Sequence, residues 1–179
     1  MKLHTFRKEN NLDLALLLVR LIGIGFAAHG AQKLFGWFGG YGLAGTAGFF
    51  ESIGLRPGRF FALAAGVGEV VGGLLMALGL FGPIGPMFII AVMTTAALTV
   101  HLPNGFFGTN NGYELPLTYA LIALAIAVGG PGAYSLDAVL GIGAIWTPAL
   151  GWAAAGLGVL GGIANASLRR KPAGQPAGS

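Results

Sequence analysis

Long apolar runs, separated by short polar or glycine- and proline-rich breaks, set the pattern of the chain. After a polar start over residues 1–11 with Lys2, Arg7 and Lys8, the first apolar run extends from about Leu12 to Phe38. Only Arg20 and a polar cluster opening at His29 interrupt it. The glycine-rich stretch 39–58 sets Phe49, Phe50 and Ile53 against Glu51 and Arg56, as expected of a segment at a membrane interface or folded back on a bundle. A second run covers about 59–81, with Glu69 the only charge between its ends, and Pro83 and Pro86 then mark a tight turn. The third run covers about 84–102 and closes at His101. Residues 103–112, rich in Asn and Gly, read as a loop. The fourth run covers about 113–128, with Glu114 in its first turn, and Gly129, Gly130, Pro131 and Gly132 break it. Ser135, Leu136 and Asp137 read as the cap of a short helix. An extra hydrophobic segment, 138–168, carries a last apolar run from about Ala149 to Ala166, and a basic, Pro/Gly-rich tail occupies 169–179.

Each run is near the ~20 residues that a bilayer core of ~30 Å requires. The pattern therefore predicts an all-α polytopic membrane protein. Its core over 12–137 is a four-helix transmembrane bundle with spans at about 12–38, 59–81, 84–102 and 113–128. The segment 138–168 either adds a fifth C-terminal helix across the membrane or lies flat. Composition fits: 55% of the 179 residues are hydrophobic and 9% charged, with 33 glycines, against roughly a quarter charged in soluble domains. Cysteine is absent, which excludes disulfide, thiolate and iron–sulfur chemistry on this chain. The net charge of +4 is a topology signal in so apolar a chain, so no nucleic-acid partner is expected. The first run is too long for the core of a cleavable signal peptide. Four spans with a cytoplasmic N-terminal tail put Lys2, Arg7, Lys8, Arg169, Arg170 and Lys171 inside, and Lys33, Arg56 and Arg59 outside, which obeys the positive-inside rule. Five spans move the C-terminal triplet outside and reverse that preference.

Depth, counted at ~1.5 Å per residue from the run boundaries, brings the scattered polar residues together. Arg20 and Glu69 both fall near mid-depth and are expected to form a structural ion pair, since a charge there normally faces a partner. His29 and His101 both fall near the outer end, with Gln32 and Lys33 about one turn beyond His29. Glu114 and Tyr113 open the fourth span at the same end. His29, Gln32, Lys33, His101 and Tyr113 are thus candidate ligand-binding residues at one mouth of the bundle, and Glu69 and Glu114 are candidate proton-transfer groups. Structural roles compete with each: interfacial hydrogen bonds for the histidines, snorkelling for Lys33, a helix-dipole charge for Glu114. Trp37 and Phe38 fit an interfacial belt. No metal site is expected. His29 and His101 could in principle span a haem, but neither sits in a supporting motif, so haem is not expected.

These residues carry a family resemblance. Leu18-Val19-Arg20-Leu21, His29-Gly30-Ala31-Gln32-Lys33-Leu34-Phe35-Gly36, Gly39-Gly40, Gly54-Leu55, Gly68-Glu69-Val70-Val71-Gly72-Gly73, Asn111-Gly112-Tyr113-Glu114 and the run Gly130 to Asp137, in that order, resemble the DoxX family of small bacterial membrane proteins. The resemblance covers about Leu12 to Asp137. It implies a four-helix membrane core in the bacterial cytoplasmic (inner) membrane. It also implies a link to quinone-dependent redox chemistry, with a quinone as the bound molecule and further subunits of a membrane complex as partners beside the lipid bilayer. Two functions follow: a membrane subunit of a quinone-linked oxidoreductase, or a noncatalytic structural or assembly subunit of a larger complex. Nothing in the sequence resembles a nucleotide- or flavin-binding fold, so in the first case a partner supplies the electrons.

Overall fold

The computed structural model describes residues 2–170, with side chains from Asn11 onward. Every regular element among them is helical: α1 (Lys2–Arg20), α2 (Ile22–Phe35), α3 (Gly42–Ser52), α4 (Gly58–Leu78), α5 (Ile84–Ala96), α6 (Glu114–Gly129), α7 (Leu136–Val139) and α8 (Pro148–Ser167). A π-helical turn, Ala97–His101, extends α5. The polar start is helical backbone continuous with the first crossing, because α1 begins at Lys2. The tail beyond Arg170 lies outside the described residues.

Four helical stretches are long and apolar enough to cross a membrane: Asn11–Phe35, Gly58–Leu78, Ile84–Asn104 and Pro148–Ser167. Glu114–Gly129 is apolar but shorter. The C-terminal segment thus supplies a full-length membrane helix, and the run around 113–128 is the short member of the bundle. Local chemistry sets the ends. Gly36 (φ 74°) and Gly79 (φ 62°) close α2 and α4 in the left-handed conformation that glycine tolerates. The Thr147 hydroxyl caps α8, with Pro148 as its first residue. The Ser135 hydroxyl accepts the Ala138 N–H at the start of α7, as its sequence context predicts.

Successive long helices of the bundle, α2, α4, α5, α6 and α8, alternate in direction. Gly23 of α2 lies against Gly73 of α4, and Gly30 lies against Gly66, so these two helices run antiparallel. Gly72 of α4 packs on Phe88 and Gly85 of α5. Helix α8 runs parallel to α5, its Gly158 on Met87 and its Gly162 on Ala91 and Thr94, while Gly151 meets the end of α6 at Ala127. The core between them contains Phe26, Met76, Ile89, Ile90, Met93, Ala123, Ile126 and Ala155, with Phe26 edge-on to Tyr119 at 5.2 Å between ring centroids. Glycine permits the close α2–α4 approach: a Cβ on Gly30 would lie 2.5 Å from the Gly66 carbonyl oxygen. Gly30→Ala is therefore expected to lower the thermal midpoint of the detergent-solubilised protein, by about 1–3 kcal/mol of overpacking. Gly25→Ala, on the same helix with open space beyond it, should be neutral or slightly stabilising. Equal midpoints for the two variants would refute this packing.

The end of the bundle holding the α4–α5 turn is closed by a polar knot. The turn carries Phe81 at φ 58° and Gly82 at φ 50°. Asp137, fully buried, accepts the Phe81 N–H at 2.8 Å and the Gly82 N–H at 2.7 Å, one on each carboxylate oxygen. Its own N–H donates to the Gly79 carbonyl at 3.1 Å. Arg20, also buried, donates to the Pro131 and Tyr134 carbonyls within the electrostatic influence of Asp137. The opposite end, where α2 finishes and α4 starts, is the mouth.

Candidate functional site

The α2–α4 register decides which polar residues meet. With Gly23 seated between Gly73 and Ala77 and Gly30 between Gly66 and Val70, His29 stands level with Glu69, and Arg20 stands level with Leu78 and Gly79. The expected Arg20–Glu69 pair does not form. Nine residues of α4, about 14 Å, separate Glu69 from the level of Arg20, and the Arg20 guanidinium is committed to the closed-end knot. Glu69 pairs instead with Lys33. Lys33 lies one turn beyond His29, so its long side chain reaches back along α2 to the carboxylate. The run boundary at Leu12 misplaced these depths, because Arg20 already stands level with the last turn of α4 and residues 12–19 precede that level.

A cavity of about 840 Å³ surrounds this pair. Its walls include Phe26 and His29 from α2, Phe61 and Glu69 from α4, Met93, Thr95 and Thr99 from α5, Tyr119 from α6 and Asn165 from α8. Helix α3 covers part of it with Phe49 and Phe50. That helix is held down by the Thr46 hydroxyl, which donates to the Lys33 carbonyl at 3.4 Å, and by the segment after α8. There, the Arg170 N–H donates to the Gly54 carbonyl at 2.8 Å, and Arg169 donates to the Ile53 and Thr99 carbonyls.

Of the residues expected at the mouth, His29, Lys33 and His101 line this cavity, together with Glu69, which was expected at mid-depth. His29 and His101 do not face one another. The α4–α5 packing puts His101 level with Arg59, about ten residues or roughly 15 Å from the level of His29. His101 belongs to the rim, its Nδ1 2.8 Å from the Asn111 carbonyl. Gln32 bonds His29 Nδ1 through its side-chain oxygen at 2.9 Å and donates to the Phe38 carbonyl at 3.2 Å, but it does not line the cavity. Glu114 does not reach it either: its carboxylate accepts the Gly108 N–H at 2.7 Å and fixes the α5–α6 loop. Tyr113 packs edge-on to Phe106 at 5.4 Å in the same loop. Thr95, Thr99 and Asn165 are the cavity residues that sequence reasoning passed over. They form a second polar strip: Thr95 donates to the Ala91 and Gly162 carbonyls, Thr99 donates to the Thr95 carbonyl, and the Asn165 amide reaches the Thr95 hydroxyl at 3.5 Å. Their signal was isolated polar residues within otherwise apolar helices. The π-helical turn follows this strip, a distortion that is frequent at functional sites. Among the described residues no group of three or more His, Cys, Asp or Glu could hold a metal ion.

The chemistry available is a buried carboxylate, an ammonium donor and an imidazole in an aromatic and aliphatic chamber. That combination can bind a planar carbonyl-bearing ring and hold a proton beside it.

The DoxX family model matches residues 15–102. An uncharacterised protein of Haemophilus influenzae is 38% identical over 104 residues, 53% of this chain and 78% of the relative. CatD of Bacillus subtilis, whose name assigns it provisionally to the oxidoreductases, is 33% identical over 119 residues, 66% of this chain and 82% of CatD. An uncharacterised membrane protein of Mycobacterium tuberculosis is 31% identical over 127 residues, 65% of this chain and 75% of the relative. No solved structure matches the chain.

Proposed function

The chain belongs to the DoxX family, and from that premise we propose that it is a membrane subunit of a quinone-linked redox system, binding a quinone ring beside Lys33 and Glu69. The observation that carries this reading is the cavity itself: one large, mainly apolar chamber whose most buried polar group, Glu69, is paired with a lysine and flanked by His29. A bound quinone supplies two-electron, two-proton chemistry. Lys33 is a donor for its carbonyl oxygen, His29, its Nδ1–H held by Gln32, presents Nε2 to accept a proton from the quinol, Glu69 holds a proton beside them, and Phe26, Phe61 and Tyr119 exclude water from the ring. A partner subunit supplies the electrons. The provisional naming of CatD as an oxidoreductase agrees with this chemistry.

The test is to purify the full chain from its native membranes, extract its lipids and quantify quinone per chain. Quinone should co-purify and fall several-fold in Glu69→Gln and His29→Ala with the fold retained. Absence of quinone together with a stoichiometric larger partner would overturn the reading in favour of a noncatalytic assembly subunit.

The same reading places the protein in the bacterial cytoplasmic membrane with the mouth facing the cytoplasm. The alternating helices bring Arg169 and Arg170 to the mouth with Arg56 and Arg59, against Lys2, Arg7 and Lys8 at the other terminus. Because the chain has no cysteine, single introduced thiols report sidedness cleanly. A membrane-impermeant maleimide added to intact spheroplasts should label Val139→Cys and spare Tyr41→Cys, and the opposite pattern reverses the orientation.

A further inference from the structure

Beside the polar site the cavity opens sideways as an apolar slot between α4 and α5. Along α5 its lining runs from His101 at the rim to Phe88, thirteen residues or about 20 Å toward the closed end. To either side of the level of Glu69, the α4–α5 lining is Val67, Val71, Phe88 and Val92, all apolar. Val67, Val71 and Phe88 are also 43%, 40% and 37% exposed on the outside of the bundle, at depths that face hydrocarbon in a membrane. One continuous space therefore joins the Lys33–Glu69 pair to the lipid-facing seam of α4 and α5. On the α8 side the slot is bordered by Gly161, where an added Cβ would meet nothing within 4 Å.

We infer that the ligand of this site is an amphiphile with a long hydrocarbon or isoprenoid chain, which enters sideways from the bilayer and lays its chain in the α4–α5 slot while its polar ring sits at Lys33 and Glu69. This rests on the quinone reading for the ring, but the chain site stands on the slot alone. The polar groups line the interior of the space and apolar groups line its lipid-facing seam, which is the division such a molecule requires. A water-soluble ring would leave this lipid-facing slot unfilled.

The experiment uses the full chain in phosphatidylcholine nanodiscs and a decyl-chain benzoquinone carrying a photoreactive diazirine at the chain end. Cross-linked peptides are mapped by mass spectrometry. Labelling should concentrate on the segments around Val67–Val71 and Phe88–Val92, and excess unlabelled decyl quinone should suppress it. The same ring without a chain should compete at least tenfold less well. Gly161→Phe fills the slot from its open side without touching Lys33 or Glu69, and should cut labelling at least fivefold while the thermal midpoint stays near native. Equal competition by the chainless ring, or unchanged labelling in Gly161→Phe, overturns the inference and leaves the quinone reading standing. Labelling suppressed by dodecanol but not by decyl quinone keeps the slot as a chain site and overturns the quinone reading instead.

Discussion

Asp137→Ala is expected to cost about 3–5 kcal/mol of stability, the largest loss from any single truncation at the closed end. The side chain is fully buried, and each oxygen accepts a backbone N–H from the α4–α5 turn. Phe81 and Gly82 are in left-handed backbone there, so their N–H groups point inward and have no helical partner. Without the carboxylate both are stranded away from solvent, at about 1–3 kcal/mol each. Arg20 also loses the charge that offsets its burial. These losses share one network and will not add in full. Asp137→Asn keeps the shape and one acceptor oxygen but drops the charge, so it should fall between alanine and native. Thermal unfolding in detergent measures the order. An alanine variant that melts with the native protein would show that the turn holds itself.

Much of the fold was legible because membrane helices advertise themselves: apolar runs near 20 residues, broken by glycine and proline, leave few alternatives in a bilayer. Helix α8 was ambiguous as to whether it crosses; it is long and apolar enough to do so, and it packs along α5. The site was harder to read. Counting depth from the start of an apolar run assumes that the bundle begins where the run does, and Arg20, eight residues into it, already stands level with the last turn of α4. A better signal was present. Gly23 and Gly30 are seven residues apart, as are Gly66 and Gly73. Aligning those pairs on antiparallel helices gives the register to within about two residues, and the offset seen in the packing, Gly23 between Gly73 and Ala77 and Gly30 between Gly66 and Val70, brings Lys33, not Arg20, within reach of Glu69. Asp137 was recognisable only as part of a helix cap, because the turn it serves lies more than fifty residues earlier in the chain. Contacts at that separation leave no local pattern. Glu114 misled for the converse reason: its short-range bond to Gly108 was a sufficient explanation for an acidic residue at a helix start.

Lys33→Met should destabilise the protein far more than Glu69→Gln, although each removes one half of the same ion pair. The asymmetry comes from burial. The side chain of Glu69 is 3% exposed and that of Lys33 is 28% exposed. Removing the lysine leaves a carboxylate with no partner inside an apolar cavity, at about 3–5 kcal/mol. Removing the carboxylate charge leaves an ammonium on a flexible stem that can turn toward the mouth, and the glutamine oxygen can still accept from it, so about 1 kcal/mol is expected. The double variant Lys33→Met with Glu69→Leu should regain most of the Lys33→Met loss, since well-packed apolar residues commonly replace a buried pair without penalty. Equal midpoints for the two single variants would mean that Glu69 is more hydrated than its burial indicates. The recovery has a functional implication. Glycines already hold α2 against α4 on both sides of the pair, so the interface does not need these charges to form. If the apolar double variant is as stable as the native protein yet no longer retains quinone, the Lys33–Glu69 pair is kept for what it binds in the cavity and not for the fold.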